Sequence, residues 1–92
     1  MRIRWTGPAV QDLFHISDYV ATHGSADAAR RIALSIHTRI ESLVQFPGQG
    51  RMGRKAGTRE LVMVGLPYVV VYRVEADAVE LLRILHGAQI WP

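Results

Sequence analysis

The sequence contains no cysteine, which excludes a disulfide framework and every thiolate metal centre. Lysine is almost missing as well: Lys55 stands alone beside ten arginines. Long hydrophobic runs are lacking. The longest, around Val69-Val70-Val71-Tyr72, is far short of the roughly 20 residues a membrane helix needs. The two arginines of Met1-Arg2-Ile3-Arg4-Trp5 are followed by no apolar segment, so neither a secretion signal nor a membrane partner is expected, and the cytoplasm is the expected compartment. At 92 residues the chain has room for one domain, 1–92, and for no separate cofactor or regulatory unit. A domain this small buries only roughly two-thirds of its unfolded surface, so stability must come from packing or from a partner. What is present suffices for a core: 49% of residues are hydrophobic and 21% charged, which argues against disorder from end to end. The net charge of +3 and a pI near 10.0 favour an acidic partner, either nucleic acid or an acidic protein.

Residues 2–5 alternate Arg-Ile-Arg-Trp, the period of a half-buried strand. Thr6-Gly7-Pro8 reads as a helix entry, and Ala9, Leu13, Ile16 and Val20 recur at helical spacing until Thr22-His23-Gly24. Ser25 caps a second helix, with an apolar stripe through Ala29, Ile32, Ala33, Ile36, Ile40 and Leu43, and the short connector predicts an antiparallel helical hairpin. Residues 47–58 hold four glycines and no hydrophobic period, which predicts a loop. Three strands follow: residues 59–64, then 68–74 beyond the turn Gly65-Leu66-Pro67, then 78–85, apolar on both faces and therefore central. The predicted class is α+β, an antiparallel β-sheet with the N-terminal helical hairpin packed on one face, in the order β-α-α-β-β-β. The other sheet face is left for a partner, with Val62, Val64, Tyr68 and Tyr72 as its apolar groups.

Catalytic motifs are sparse. There is no His-x-x-x-His, no carboxylate–histidine cluster at ligand spacing and no phosphate loop, so neither a metal nor a cofactor is expected. The serines stand on or beside helices, away from any His/Asp pair. The loop is more informative: Arg51, Arg54, Lys55 and Arg59 fall within nine residues among glycines. This pattern suits contact with phosphate or carboxylate and equally suits a solvated connector. His86, at the end of the last strand, is either a general acid–base or a strand-end histidine bonded to backbone. Arg73 and Arg83 either extend a cationic patch or pair across strands with Glu60, Glu75 or Glu80.

Five collinear segments carry a resemblance. They are Trp5-Thr6-x-Pro8-Ala9-x-x-Asp12-Leu13, Pro47-x-x-Gly50-Arg51, Gly57-Thr58-Arg59-Glu60-Leu61, Pro67 to Arg73, and Leu85-His86-Gly87-Ala88-Gln89-x-Trp91-Pro92. Together they resemble the RelE/ParE superfamily of bacterial type II toxins, with the ParE-like branch favoured. The resemblance implies a growth-inhibiting toxin encoded beside a ParD-like antitoxin, whose acidic C-terminal segment folds as it covers the toxin. Its interface would include Val62, Val64, Tyr68, Tyr72 and Arg73, and operator DNA would be met only through the antitoxin. The resemblance leaves two targets open. RelE-like members cleave messenger RNA on the ribosome with basic residues and a Tyr or His; Arg59, Arg83 and His86 are the groups such a site would use here. ParE-like members inhibit DNA gyrase and need no nuclease centre; the loop cations Arg51, Arg54, Lys55 and Arg59 would then be target or nucleic-acid contacts. Val69 and Gln89 stand where RelE-like toxins commonly carry arginine, and the segment bearing the RelE tyrosine is missing after Trp91-Pro92, which favours gyrase. A third reading is a non-toxic antitoxin-binding or corepressor module.

Overall fold

The computed structural model describes residues 1–87, 89 and 91. Strand β1, Arg2–Trp5, runs into Thr6, whose extended backbone and hydroxyl cap helix α1, Gly7–His23, by accepting from the Ala9 N–H. The same hydroxyl donates to the Leu81 carbonyl at 2.6 Å, so the helix start is tied to the sheet by one side chain. Gly24 closes α1 with its N–H on the Val20 carbonyl. Ser25 then caps α2, Ala26–Glu41, through the Ala28 N–H, with Asp27 in the first turn and Arg39 in the last, each at the favourable end of the helix dipole. A 3-10 turn at Ser42–Val44 carries Leu43 into the core.

The sheet has five strands in the order β1-β5-β4-β3-β2, where β2 is Arg51–Met52, β3 Arg59–Val62, β4 Tyr68–Val74 and β5 Ala78–His86. The α+β class, the helical hairpin and the internal position of β5 agree with the sequence reading. Two details differ. The sheet is mixed: β1 pairs with β5 in parallel, Arg2 opposite Ala78 and Trp5 opposite Leu81, because the α1–α2 hairpin returns the chain to the end where β1 finished and the four strands that follow alternate in direction. The glycine-rich loop also contains a strand, since Arg51 and Met52 pair with Glu60 and Arg59; two residues between glycines are too few to show a period.

The core lies between the hairpin and one sheet face. Ala9, Ile36, Ile40 and Leu43 meet Leu61, Val70, Tyr72, Val79, Leu81 and Ile84. Tyr68 and Tyr72 belong to this covered side, 8% and 0% exposed, which corrects the expectation that they lie on the open face with Val62. Val62 stands opposite Val69 and Leu61 opposite Val70, so the inward set of β4 is Tyr68, Val70 and Tyr72. Because β4 is apolar at nearly every position, its alternation did not reveal which set points inward.

Candidate functional site

Three rows of residues cross the open sheet face in register. In the first, Arg4 and Arg73 flank Glu80 and both bind it, Arg4 NH2 at 2.7 Å from one carboxylate oxygen and Arg73 NH2 at 2.6 Å from the other. Arg73 reaches Glu75 as well, at 2.9 Å. The hydrogen bond from Arg73, then that from Arg4, pulls the Glu80 carboxyl below its ordinary range, and Arg73 is held correspondingly more firmly protonated. In the second row Arg83, Val71, Glu60 and Arg51 stand side by side. Arg51 places Nε and NH2 on one Glu60 oxygen, at 3.1 and 2.9 Å. Leu85, Val69 and Val62 form the third, apolar row. Among the pairings expected for Arg73 and Arg83, Arg73 takes Glu80 and Glu75, whereas Arg83, in register opposite Val71, sends its side chain to Asp12 of α1.

That last contact joins helix to sheet. Arg83 donates from Nε and NH2 to the two Asp12 oxygens at 2.7 and 3.0 Å, and the Ile84 N–H donates to the same carboxylate at 2.8 Å. Asp12 thus satisfies the edge of β5 just beyond the point where β1 stops pairing. Hydrogen bonding to Asp12 outweighs desolvation and raises the Arg83 pKa further.

The basic loop is anchored from beneath. The Tyr72 hydroxyl donates to the Pro47 carbonyl at 2.7 Å and accepts from the Gly50 N–H at 2.9 Å; burial raises the Tyr72 pKa against the opposing effects of Gly50 and Arg59. A Cβ at Gly50 would lie 2.7 Å from that hydroxyl, so the approach requires glycine. Arg59 NH1 donates to the carbonyls of Gly50 and Gly48, at 2.8 and 3.2 Å. Buried Thr58 holds the tip by donating to the Lys55 carbonyl at 2.6 Å. The four loop cations therefore divide: Arg59 is a clamp, Arg51 is paired with Glu60, and exposed Arg54 and Lys55 carry their charge outward.

A narrow cleft of about 100 Å³ opens on this face, walled by Arg51, Arg54, Glu60, Val71, His86 and Trp91 among others. His86 stands at its end. The His86 N–H donates to the Gln89 side-chain oxygen at 2.7 Å, and its ring meets Tyr68 edge-on with centroids 6.1 Å apart. The structure brings Arg51, Arg54 and His86 together at this cleft, while Arg59 and Arg83 are turned to structural partners. Val62 and Val64 are open, 45% and 88% exposed, and Arg73 sits in the ion-pair row. The sequence reading named Asp12 in the first collinear segment but gave it no role, and helical spacing placed it mostly on an outer face; its contacts with Arg83 and the Ile84 N–H turn it to the sheet instead. Of the closing motif, Ala88 and Pro92 lie outside the described residues. No group of three or more His, Cys, Asp or Glu that could hold a metal occurs among the described residues, and no helix among them is long and apolar enough to cross a membrane.

Residues 3–91 match the model of the family described as the ParE toxin of type II toxin-antitoxin system, parDE. The chain belongs to the ParE toxin family. It is 42% identical over 91 residues to "Putative toxin Y4kP" of Sinorhizobium fredii (strain NBRC 101917 / NGR234), an alignment covering 99% of this chain and 93% of that one. It is 40% identical over 89 residues to "Toxin RelE2" of Caulobacter vibrioides (strain ATCC 19089 / CIP 103742 / CB 15), covering 97% and 98%. A solved structure titled "Chromosomal ParDE TA system from P. aeruginosa" superposes with a TM-score of 0.86 at 27% identity, covering 94% of this chain and 95% of that chain. The protein is therefore a ParE-family toxin of a type II toxin-antitoxin system, and the fold read from periodicity is that of the family.

Proposed function

We propose that this ParE-family toxin arrests growth in the cytoplasm by inhibiting DNA gyrase and is neutralised by a co-encoded, ParD-like antitoxin. The observation that carries the choice of target is the commitment of the arginines a nuclease would need. Arg83 spends Nε and NH2 on Asp12, Arg59 spends NH1 on two loop carbonyls, and Val69 and Gln89 supply no cation at the cleft. Phosphoryl transfer needs preorganised cations aimed at the developing charge, and here the cleft offers Arg54 beside an Arg51 already paired with Glu60. A surface that acts by docking on another protein needs no such centre.

The antitoxin reading rests on apolar groups left in water. Phe14 and Leu34 on the hairpin are 64% and 62% exposed, and Val62 and Val64 at the sheet end are open as well. A folding segment with apolar side chains and acidic flanks would cover these groups while meeting Arg54 and Lys55. Operator DNA would be read by the antitoxin's own domain. Purified toxin incubated with gyrase and relaxed plasmid is expected to block supercoiling and accumulate linear, gyrase-bound DNA, both reversed by antitoxin. Unimpaired supercoiling at micromolar toxin would reject the proposal. A ribosome-dependent RNase reading keeps one point in its favour, the grouping of His86 with Arg51 and Arg54 at one cleft; loss of toxicity in a folded His86→Ala variant would support it.

A further inference from the structure

A cavity of about 390 Å³ opens between α1 and the ends of β4 and β5, on the hairpin side of the sheet and within the size range of small-molecule sites. Its walls are fixed in advance. Asp12 of α1 holds Arg83 and the Ile84 N–H of β5, and the Gly87 N–H donates to the Pro67 carbonyl at 2.6 Å, joining the end of β5 to the turn before β4. Two ring pairs supply aromatic wall. On α1, Tyr19 stacks on His23 with centroids 4.1 Å apart, and His23 Nδ1 donates to the Tyr19 carbonyl at 3.0 Å. The Tyr19 ring is thereby held at the mouth although the residue is 63% exposed. On the sheet, Tyr68 meets the His86 ring edge-on, and Ile16 and Ile84 add apolar surface.

The polar groups of the wall are left as donors. The Gln89 side-chain oxygen accepts from the His86 N–H at 2.7 Å, so the function Gln89 still has to offer is its NH2. Burial, and then the neighbouring Tyr19, push the Tyr68 pKa up, and its hydroxyl stays protonated across the neutral range. Asp12, the one carboxylate among the described lining residues, accepts three hydrogen bonds and is neutralised by Arg83. Aromatic faces, donors and no uncompensated negative charge suit a flat ring that carries an anionic acceptor. No Lys or Arg stands among the described lining residues, which suits a single carboxylate and not a phosphate, whose greater charge calls for a cation. We propose that this cavity binds an aromatic monocarboxylate, its ring between Tyr19 and Tyr68 and its carboxylate on the Gln89 amide and the Tyr68 hydroxyl.

The full-length protein, isotope-labelled and free of antitoxin, is titrated by NMR with 2-naphthoate, 2-naphthalenemethanol and cyclohexanecarboxylate. Naphthoate is expected to shift His15, Tyr19 and Tyr68 and to bind roughly threefold or more tightly than either the neutral alcohol or the non-aromatic acid. Exposed Tyr19→Ala, which removes one face of the pocket, is expected to weaken naphthoate and the alcohol alike by roughly 3- to 10-fold. Gln89→Glu keeps an oxygen for the His86 N–H and replaces the NH2 donor with negative charge; it is expected to weaken naphthoate about tenfold or more and to leave the alcohol unchanged. Both variants lie on the surface, so the test does not depend on altering the buried Tyr68. Gln89 also borders the cationic cleft, and Arg54→Ala, expected to leave naphthoate affinity unchanged, separates the two sites. Absence of binding at millimolar naphthoate, equal affinity for all three ligands, indifference to Tyr19→Ala or to Gln89→Glu, or loss of binding in Arg54→Ala overturns the proposal. None of these readouts depends on gyrase or toxicity.

Discussion

The two faces of the sheet solve the same problem by opposite means. On the face beneath the hairpin, polar groups are few and each holds a distant segment: Tyr72 ties down Pro47 and Gly50, 25 and 22 residues away, and Thr6 ties α1 to Leu81. On the open face, charges are frequent and are consumed by neighbours on adjacent strands, Arg4 and Arg73 by Glu80 and Arg51 by Glu60. The covered face therefore sets stability, and the open face sets what remains for partners: the Arg54 and Lys55 cations, the exposed Val62 and Val64, and the cleft at His86. On the proposed function, in which a second protein silences the toxin, this division lets partner-facing residues change without unfolding it.

The largest effect should follow an attack on the covered face. Tyr72→Ala is expected to cost about 3–5 kcal/mol, and Tyr72→Phe, which leaves the Gly50 N–H and the Pro47 carbonyl without partners, about 1–3 kcal/mol, both measured by urea unfolding. A Tyr72→Phe variant as stable as the wild type would break the comparison. Next comes the junction between the faces: Asp12→Ala, which orphans the Ile84 N–H and Arg83 together, is expected to cost about 1–3 kcal/mol, whereas Arg51→Ala on the open face should cost less than about 1 kcal/mol. Equal losses would mean that the surface pair matters as much as the clamp. Charge placed among the exposed valines should separate stability from recognition. Val62→Asp with Val64→Asp is expected to leave stability within about 0.5 kcal/mol and to weaken antitoxin binding at least tenfold, about 1.4 kcal/mol, by calorimetry.

The smallest effect concerns Glu80. Its carboxyl titrates below the ordinary value of 4.5 in the folded protein, so the unfolded chain binds more protons in that window and stability rises with pH there. The contribution is fully present above about pH 4.5 and fades as the pH falls through the depressed folded value. Glu80→Gln should therefore flatten the decline in the urea midpoint between pH 5 and 3 and alter little else; an unchanged slope would remove Glu80 from the acid response.

Much of the fold was legible because local signals were redundant. Ser25 caps the helix it was expected to cap, and of the two candidates Thr6 and Gly7 it is Thr6 that caps the first, while the turn at Gly65-Leu66-Pro67 separates β3 from β4. The strand pair Arg51–Met52 was hidden because its register is imposed by Glu60 and Arg59 across the loop. The parallel partner of β1 was hidden because pairing direction depends on where the hairpin returns the chain. The inward turn of Tyr68 and Tyr72 was masked by valines on both faces of β4. At the site, the grouping of loop cations was visible, but their division was not: that Arg59 would clamp Gly48 and Gly50, and that Arg83 would cross to Asp12, are long-range contacts of 9 to 71 residues that no local period encodes.

The most direct test of the central claim is the capture of gyrase covalently trapped on DNA in cells induced to make the toxin without antitoxin, with messenger cleavage mapped in the same cultures. Trapped gyrase rising with the wild type and equally with a folded His86→Ala variant, over intact messenger, is the predicted result. Cleaved messenger without trapped gyrase, lost in His86→Ala, would contradict it.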